Sequence, residues 1–205
     1  MIIAVDGPAA SGKGTLARRL AAQYGLNYLD TGLIYRAIGW HLLEKGFAPD
    51  DENAAVDIAS TLNLAAIDEA DLRTAGIGEA ASIVAANVNV RAAILDYQRR
   101  FSEKGSGAVL DGRDIGTIVC PDADHKLFAT ASPEVRARRR ARELRLSGTD
   151  ISDDEVLADL LRRDERDRNR AVAPLKPADD AHLLDTSNLD IEAAFRAAVA
   201  IVSGS

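Results

Sequence analysis

Short apolar runs alternate along this chain with longer stretches whose apolar positions recur every three to four residues. The first kind reads as buried strand and the second as amphipathic helix. Strands are predicted over residues 1–6, Asn27–Asp30, Gly107–Asp111, Lys126–Thr130 and His182–Thr186. A helix over 13–24 is closed by Gly25, and one from about Gly32 to Lys45 is capped by Thr31 and closed by Gly46. Ser132-Pro133 opens a helix to about Leu146, with Gly148 beyond its end. Ser152-Asp-Asp-Glu155 has capping-box spacing for the next helix, and Asp190 to Val202 forms the last. The pattern predicts an α/β fold: a five-stranded parallel sheet with helices on both faces. Between about 37 and 106 the strand signal fades. Helices over Glu52–Thr61, Thr74–Ala86 and Val90–Lys104 there predict an inserted helical lobe. The expected organisation is one domain over 1–205, with its core at about 1–36 and 107–205, the lobe at about 37–106 and a short lid at about 145–158. The Ser203-Gly-Ser205 end reads as frayed.

Composition narrows the function classes. The 205 residues are 47% hydrophobic and 28% charged, as in a globular protein. No apolar run approaches the length of a membrane span. A net charge of −7 argues against general binding to nucleic acid or a membrane surface, so a phosphate site must be a local basic cluster. Cys120 is the one cysteine, which precludes an internal disulfide and reads as a small buried residue. The opening apolar run is too short for a secretory signal and lacks a basic leader, so a cytoplasmic location is expected. His41, His125 and His182 lack metal-ligand spacing and read as structural, and Trp40 reads as lobe packing. No exposed apolar stripe stands out, so a monomer is expected.

The first candidate chemistry lies directly after the first strand, in Gly7-Pro8-Ala9-Ala10-Ser11-Gly12-Lys13-Gly14-Thr15. A strand, a small-residue loop and a helix start in that order make an anion cradle. Backbone N–H groups and the positive helix end face one phosphate, and the Lys spans to the next. The bland alternative is a Gly-rich turn. The general phosphate-loop pattern has Ser or Thr directly after the Lys, whereas Gly14 stands there and Thr15 follows. That ending is similar to the Gly-Lys-Gly-Thr of nucleoside monophosphate kinases.

Three further clusters fall at strand ends or on helices. Thr31 and Arg36 follow the second strand, and Asp111, Arg113 and Asp114 follow the third, at the edge where functional groups of a parallel sheet collect. Asp30 and Asp111 either cap helices or serve the site, Asp111 by organising the water shell of a metal. On the helix after Ser152, Arg163, Arg166, Asp167 and Arg170 share one stripe beside the apolar face. Phosphate recognition favours Arg for its planar fork, although mixed-charge helices are usually solvated. Arg138, Arg142 and Arg145 share a face of the preceding helix, read equally as solvated or as a phosphate clamp.

Together these blocks resemble the bacterial cytidylate kinases over nearly the whole chain. The match runs through Asp6–Thr15, Leu29–Arg36, Arg73–Ala86 with Ser82, Val90-Arg91, Asp111-Gly-Arg-Asp-Ile-Gly-Thr117 and Arg163-Asp-Glu-Arg-Asp-Arg-Asn-Arg-Ala-Val-Ala-Pro174. The resemblance implies a P-loop kinase fold. It also implies Mg²⁺-dependent transfer of a phosphoryl group from ATP to CMP or dCMP. ATP would lie on Gly7 through Thr15. CMP would be held by Thr31, Arg36, Ser82, Arg91, Arg113 and Asp114, with Ser82, Arg113 and Asp114 reading the cytosine edge and Asp167 contacting the sugar hydroxyls. Arg163 and Arg170 would act on the acceptor phosphate and the transferring group. Mg²⁺ would be held mainly through phosphates and water, with Thr15 and Asp111 as candidates. Three departures stand out, the mildest being Thr31, which keeps the hydroxyl where members often carry Ser. Ala10 replaces the commoner Gly, which predicts that this position avoids left-handed backbone angles. The segment between Leu62 and Arg73 is shorter than the β-rich segment of many members.

Phosphate is a ready nucleophile, so this chemistry needs alignment, shielding and charge dispersal rather than a strong base. The inventory fits: many arginines, Lys13 and no candidate catalytic His. A kinase with a hydroxyl acceptor, similar to shikimate kinase, would need an orienting acid such as Asp30 but fewer arginines around the acceptor. A GTP-dependent switch would need Ser or Thr at position 14 and an Asn/Thr-Lys-x-Asp strand, which the chain lacks.

Overall fold

A computed structural model describes residues 1–204 other than 65, 66 and 70. Five parallel strands, β1 (Ile2–Asp6), β2 (Asn27–Asp30), β3 (Ala108–Gly112), β4 (His125–Thr130) and β5 (His182–Asp185), stand in the order β2-β3-β1-β4-β5. The register sets Ala4 beside Leu110 and Lys126, and places Asp6 level with Gly112 and Phe128. The chain leaves β1 toward β2, returns through β3 and crosses to β4. The carboxyl ends of β1, β3 and β4 therefore flank a crevice, the usual ligand position in open α/β sheets.

Alternation along the strands splits the core. Ile3, Val5, Val109, Leu127, Ala129 and Leu184 face α1 (Lys13–Tyr24) and α8 (Ile191–Ser203). Ala4, Leu29, Ala108 and Leu110 face the other layer with α2 (Thr31–Glu44) and its helical neighbours. A third cluster joins Ala9 of the loop after β1 to α6 (Pro133–Leu146) and α7 (Asp153–Asn169) through Ala137, Ala141, Leu144, Val156 and Leu160. The inserted lobe is helical as expected: α3 (Glu52–Thr61), α4 (Ala75–Val84) and α5 (Val88–Ser102). Gly39 lets α2 cross α4 closely, since a Cβ there would lie 3.0 Å from the Ala80 Cβ. The short segment before Arg73 includes a 3₁₀ turn, Asp71–Arg73, and its residues 65, 66 and 70 lie outside those described.

Most predicted boundaries hold within two residues, and the capping box at Ser152 and Glu155 forms in both directions. Three expectations need correction. Asp30, not Thr31, takes the cap position of α2; Thr31 is its first residue and its hydroxyl donates to the Asp111 carbonyl at 2.7 Å. Asp111 lies inside β3 and so does not cap a helix. Ser203 still belongs to α8, which Gly204 closes with φ +69°. Among the described residues, no helix is long and apolar enough to cross a membrane.

Candidate active site

The loop after β1 closes over its own backbone. Gly7, at φ +153°, presses against β4, where a Cβ would sit 2.0 Å from the Ala129 carbonyl oxygen. No side chain fits there. Ala10 adopts φ +59°, which contradicts the expectation that this position avoids left-handed angles. The surrounding contacts explain how an L-residue is held there. Arg136, 1% exposed, donates to the Ala9 carbonyl at 3.1 Å and to the Ala131 carbonyl at 3.0 Å, and pairs with both carboxylate oxygens of Asp164. From the other side the Thr186 hydroxyl donates to the Ser11 carbonyl at 3.0 Å, and Arg139 donates to both Thr186 oxygens.

The loop opens into a cavity of about 950 Å³ lined by Ala9 through Thr15 of the loop and by Thr31, Arg36, Ser82, Asp111, Arg113, Asp114, Arg163, Asp167 and Arg170. Of the residues expected at the site, Gly7, Pro8 and Arg91 lie behind this lining. Gly7 and Pro8 are buried beneath the loop. Arg91 supports the wall: it pairs tightly with Asp114 and donates to the Tyr35 hydroxyl at 3.0 Å. Arg170 completes that knot from the end of α7, 3.3 Å from the other Asp114 oxygen. Arg113 is aimed by Asp167, its Nε donating at 2.9 Å. Arg36 donates to the Leu72 carbonyl at 2.8 Å, which ties this wall of the cavity to the lobe.

Charge in this cavity is out of balance in a way that favours an anion. Burial and the nearby Arg113 charge push the Lys13 ammonium down to about 8, against the pull of Asp111 and Asp30. The same two causes bring the Arg163 guanidinium down to about 10. Burial and the Asp30 carboxylate lift Asp111 to about 7, against Lys13. The Lys13 and Arg163 shifts record cations held at a cost, which phosphate oxygens among them relieve, whereas the Asp111 carboxylate would be disfavoured further by an added anion. Two buried polar atoms point the same way: Ser11 Oγ and Arg163 Nε have no hydrogen-bond partner. They fit a polyphosphate and a transferring phosphoryl group. Gly14 adds room, because a Cβ there would come 3.2 Å from Asp111 Oδ2, and Asp111 and Thr15 both line the cavity.

The predicted stripe on α7 is intact: Arg163, Asp167 and Arg170 line the cavity, and Arg166 crosses to α4. The α6 charge run divides differently from the face expected for it. Arg138 and Arg145 are exposed, and Arg145 pairs with Asp153; Arg142 reaches the cavity rim; Arg139 and Arg140 line it; Arg136 is entombed. Sequence reasoning missed Arg136, yet a signal existed. It stands two turns before Leu144 and one residue before Ala137, on the apolar stripe of the helix. Asp6 was also missed as a support. Buried, it accepts from the Ile115 and Gly116 backbone N–H groups, each at 2.8 Å, and so fixes the turn after Asp114.

A strand–loop–helix phosphate cradle, a loop lysine and a ring of arginines in a parallel sheet's crevice define a P-loop kinase. A sequence model of the family described as "Cytidylate kinase" matches residues 3–203. A cytidylate kinase of Xanthobacter autotrophicus is 64% identical over 98% of this chain and 97% of its own length. One of Methylocella silvestris is 60% identical over 98% and 94%. Among solved structures, a gluconokinase from Sinorhizobium meliloti is similar in fold alone, with a TM-score of 0.52 at 14% identity over 98% of this chain and 91% of that one. The chain belongs to the cytidylate kinase family.

Proposed function

We propose that the chain transfers the γ-phosphoryl group of ATP to CMP or dCMP, giving ADP and CDP or dCDP. The observation that carries this reading is the meeting of two sets of groups around one cavity. The phosphate loop supplies one side, and Arg36, Ser82, Arg113, Asp114 and Asp167 supply the other. Two bound anions need such a separation, with cations between them.

The residues divide the work. Ala9 through Thr15 wrap the donor phosphates with backbone N–H groups, Gly7 and Pro8 shape the loop beneath them, and Lys13 bridges the phosphates. Thr31, Arg36, Ser82, Arg113 and Asp114 hold the acceptor nucleotide, Arg91 acts from behind by bracing Asp114, and Asp167 takes the sugar hydroxyls. Arg163 and Arg170 offset the repulsion between donor and acceptor and spread the charge of the transferring group. Mg²⁺ would be held chiefly through phosphates and water, with the Thr15 hydroxyl and the Asp111 carboxylate as the chain's own candidates, and would supply charge neutralisation. The acceptor phosphate is itself the nucleophile, so no side chain needs to remove a proton. The lobe at about 37–106 and a lid at about 145–158 close on the core at 1–36 and 107–205 and exclude water. The chain acts as a monomer in the cytoplasm on small-molecule nucleotides, binding neither nucleic acid nor membrane. UMP is its secondary acceptor.

The test is an ADP-release assay with Mg·ATP and CMP, dCMP, UMP, AMP, GMP or shikimate. Activity led by CMP and dCMP supports the reading. Preference for another acceptor retains a phosphate-loop kinase and overturns the roles of Ser82, Arg113 and Asp114.

A further inference from the structure

One arginine on the α7 stripe does not enter the cavity. Arg166 reaches across to α4, where its Nη1 donates to the Ser82 hydroxyl at 2.9 Å and its Nη2 donates to a Glu79 carboxylate oxygen at 2.6 Å. Glu79 and Ser82 are one turn apart on α4 and Arg163 and Arg166 one turn apart on α7, so the two helices meet along matching faces. Gly78 lies in the same contact: a Cβ there would fall 3.2 Å from an Arg163 nitrogen. The Arg166 hydrogen bond holds the Glu79 carboxyl below its usual range, which keeps the carboxylate charged to seat the guanidinium.

A guanidinium can only donate, so it occupies a lone pair of the Ser82 oxygen and leaves the hydroxyl hydrogen to point elsewhere. Ser82 is 6% exposed and lines the cavity, so the hydrogen is available to a base bound there. Cytosine and uracil present opposite donor and acceptor polarity at both positions of the edge on which they differ. A hydroxyl free to rotate adapts to either base, whereas one whose oxygen is held by a cation is biased toward donating, which suits the bare N3 of cytosine and opposes the N3–H of uracil. We propose that Arg166, seated by Glu79, is a specificity-positioning residue that fixes the polarity of the Ser82 hydroxyl and thereby sharpens the choice of cytosine over uracil. This rests on the reading of Ser82 as a base-contacting group. It also ties base recognition to the helix that carries Arg163 and Arg170.

The experiment measures kcat/KM for CMP and for UMP, and KM for ATP, in the wild type, Arg166→Met, Arg166→Lys, Glu79→Gln, Ser82→Ala and the Ser82→Ala/Arg166→Met double variant. Arg166 is part-exposed, and thermal melts identify any variant that fails to fold. Arg166→Met is expected to lower the CMP:UMP ratio about tenfold with KM for ATP unchanged. Arg166→Lys retains part of the ratio, Glu79→Gln loses less than Arg166→Met, and Arg166→Met adds nothing once Ser82 is Ala. Equal losses on CMP and UMP would make Arg166 a structural strut and overturn the proposal, as would a further drop in the ratio in the double variant. A wild type that does not prefer CMP overturns instead the reading of the base site on which the proposal rests.

Discussion

The two halves of the cavity are built from different materials. The donor side is backbone: a loop of small residues, shaped by Gly7 against β4 and clamped from beneath by Arg136 and from the side by Thr186. The acceptor side is side chains, drawn from α2, α4, β3 and its following turn, and α7, and held by arginine–carboxylate pairs such as Arg113–Asp167 and Arg170–Asp114. A backbone site is rigid and indifferent to which nucleotide carries the phosphates. A side-chain site is adjustable and can read a base. On the proposed reading, generic and specific recognition are separated across about 950 Å³ of shared space.

Substitutions can break that division, beginning with the largest expected effect. Lys13→Ala removes the lysine of the loop itself and is expected to lower kcat about a thousandfold with the thermal melt preserved. A near-normal rate would remove Lys13 from the chemistry. Asp114→Ala strikes the other side, leaving Arg91 and Arg170 without their shared carboxylate. KM for CMP is expected to rise about a hundredfold and KM for ATP to change less than threefold. Equal losses for the two substrates would merge the two halves.

A gentler change sharpens the boundary. Gly78→Ala puts a Cβ 3.2 Å from an Arg163 nitrogen and 3.4 Å from an Arg36 nitrogen, both at the ends of flexible chains. Replacing a helical glycine by alanine favours the helix by about 1 kcal/mol, so the melting temperature is expected to hold or rise while kcat falls several-fold. A fall in both would place the clash in the backbone.

Acid–base linkage gives the smallest effect and tests the boundary itself, where Asp111 faces Lys13. The Asp111 carboxyl is raised from 3.8 to about 7, so between those values the folded state holds a proton that the unfolded state has released. Its contribution to stability is therefore present in acid and is lost as pH rises toward 7. Lys13, lowered from 10.5 to about 8, acts in the opposite sense: stability rises as pH climbs from about 8 to 10.5. Asp111→Asn is expected to flatten the fall in melting temperature between pH 4 and 7, leaving the part due to Asp6, itself raised to about 6 by burial. An unchanged profile would assign the fall to other groups.

The same contrast explains what the sequence disclosed. The donor loop is contiguous, so its strand, small residues, lysine and helix start can be read in one pass. The α7 stripe is also local, because Arg163, Asp167 and Arg170 recur with the helical period. Ser82 and Arg91 carry no such local signal and came from the resemblance alone. Arg166 was visible on the stripe, but its partners lie 84 and 87 residues away, a separation that no helical period reports. Arg136 hid inside a charge run, where arginines are expected to face water. Its burial depends on Asp164 arriving from α7. Ala10 was misjudged because backbone angle follows from tertiary clamping, and the loop's own residues do not reveal the clamp.

Ala10 has one more consequence. Holding an alanine at φ +59° costs about 1 kcal/mol relative to glycine. Alanine's other backbone wells lie at negative φ, so the loop's own residues pull away from this conformation and the Arg136 and Thr186 contacts hold it. The strain is offset as the chain folds around those two contacts.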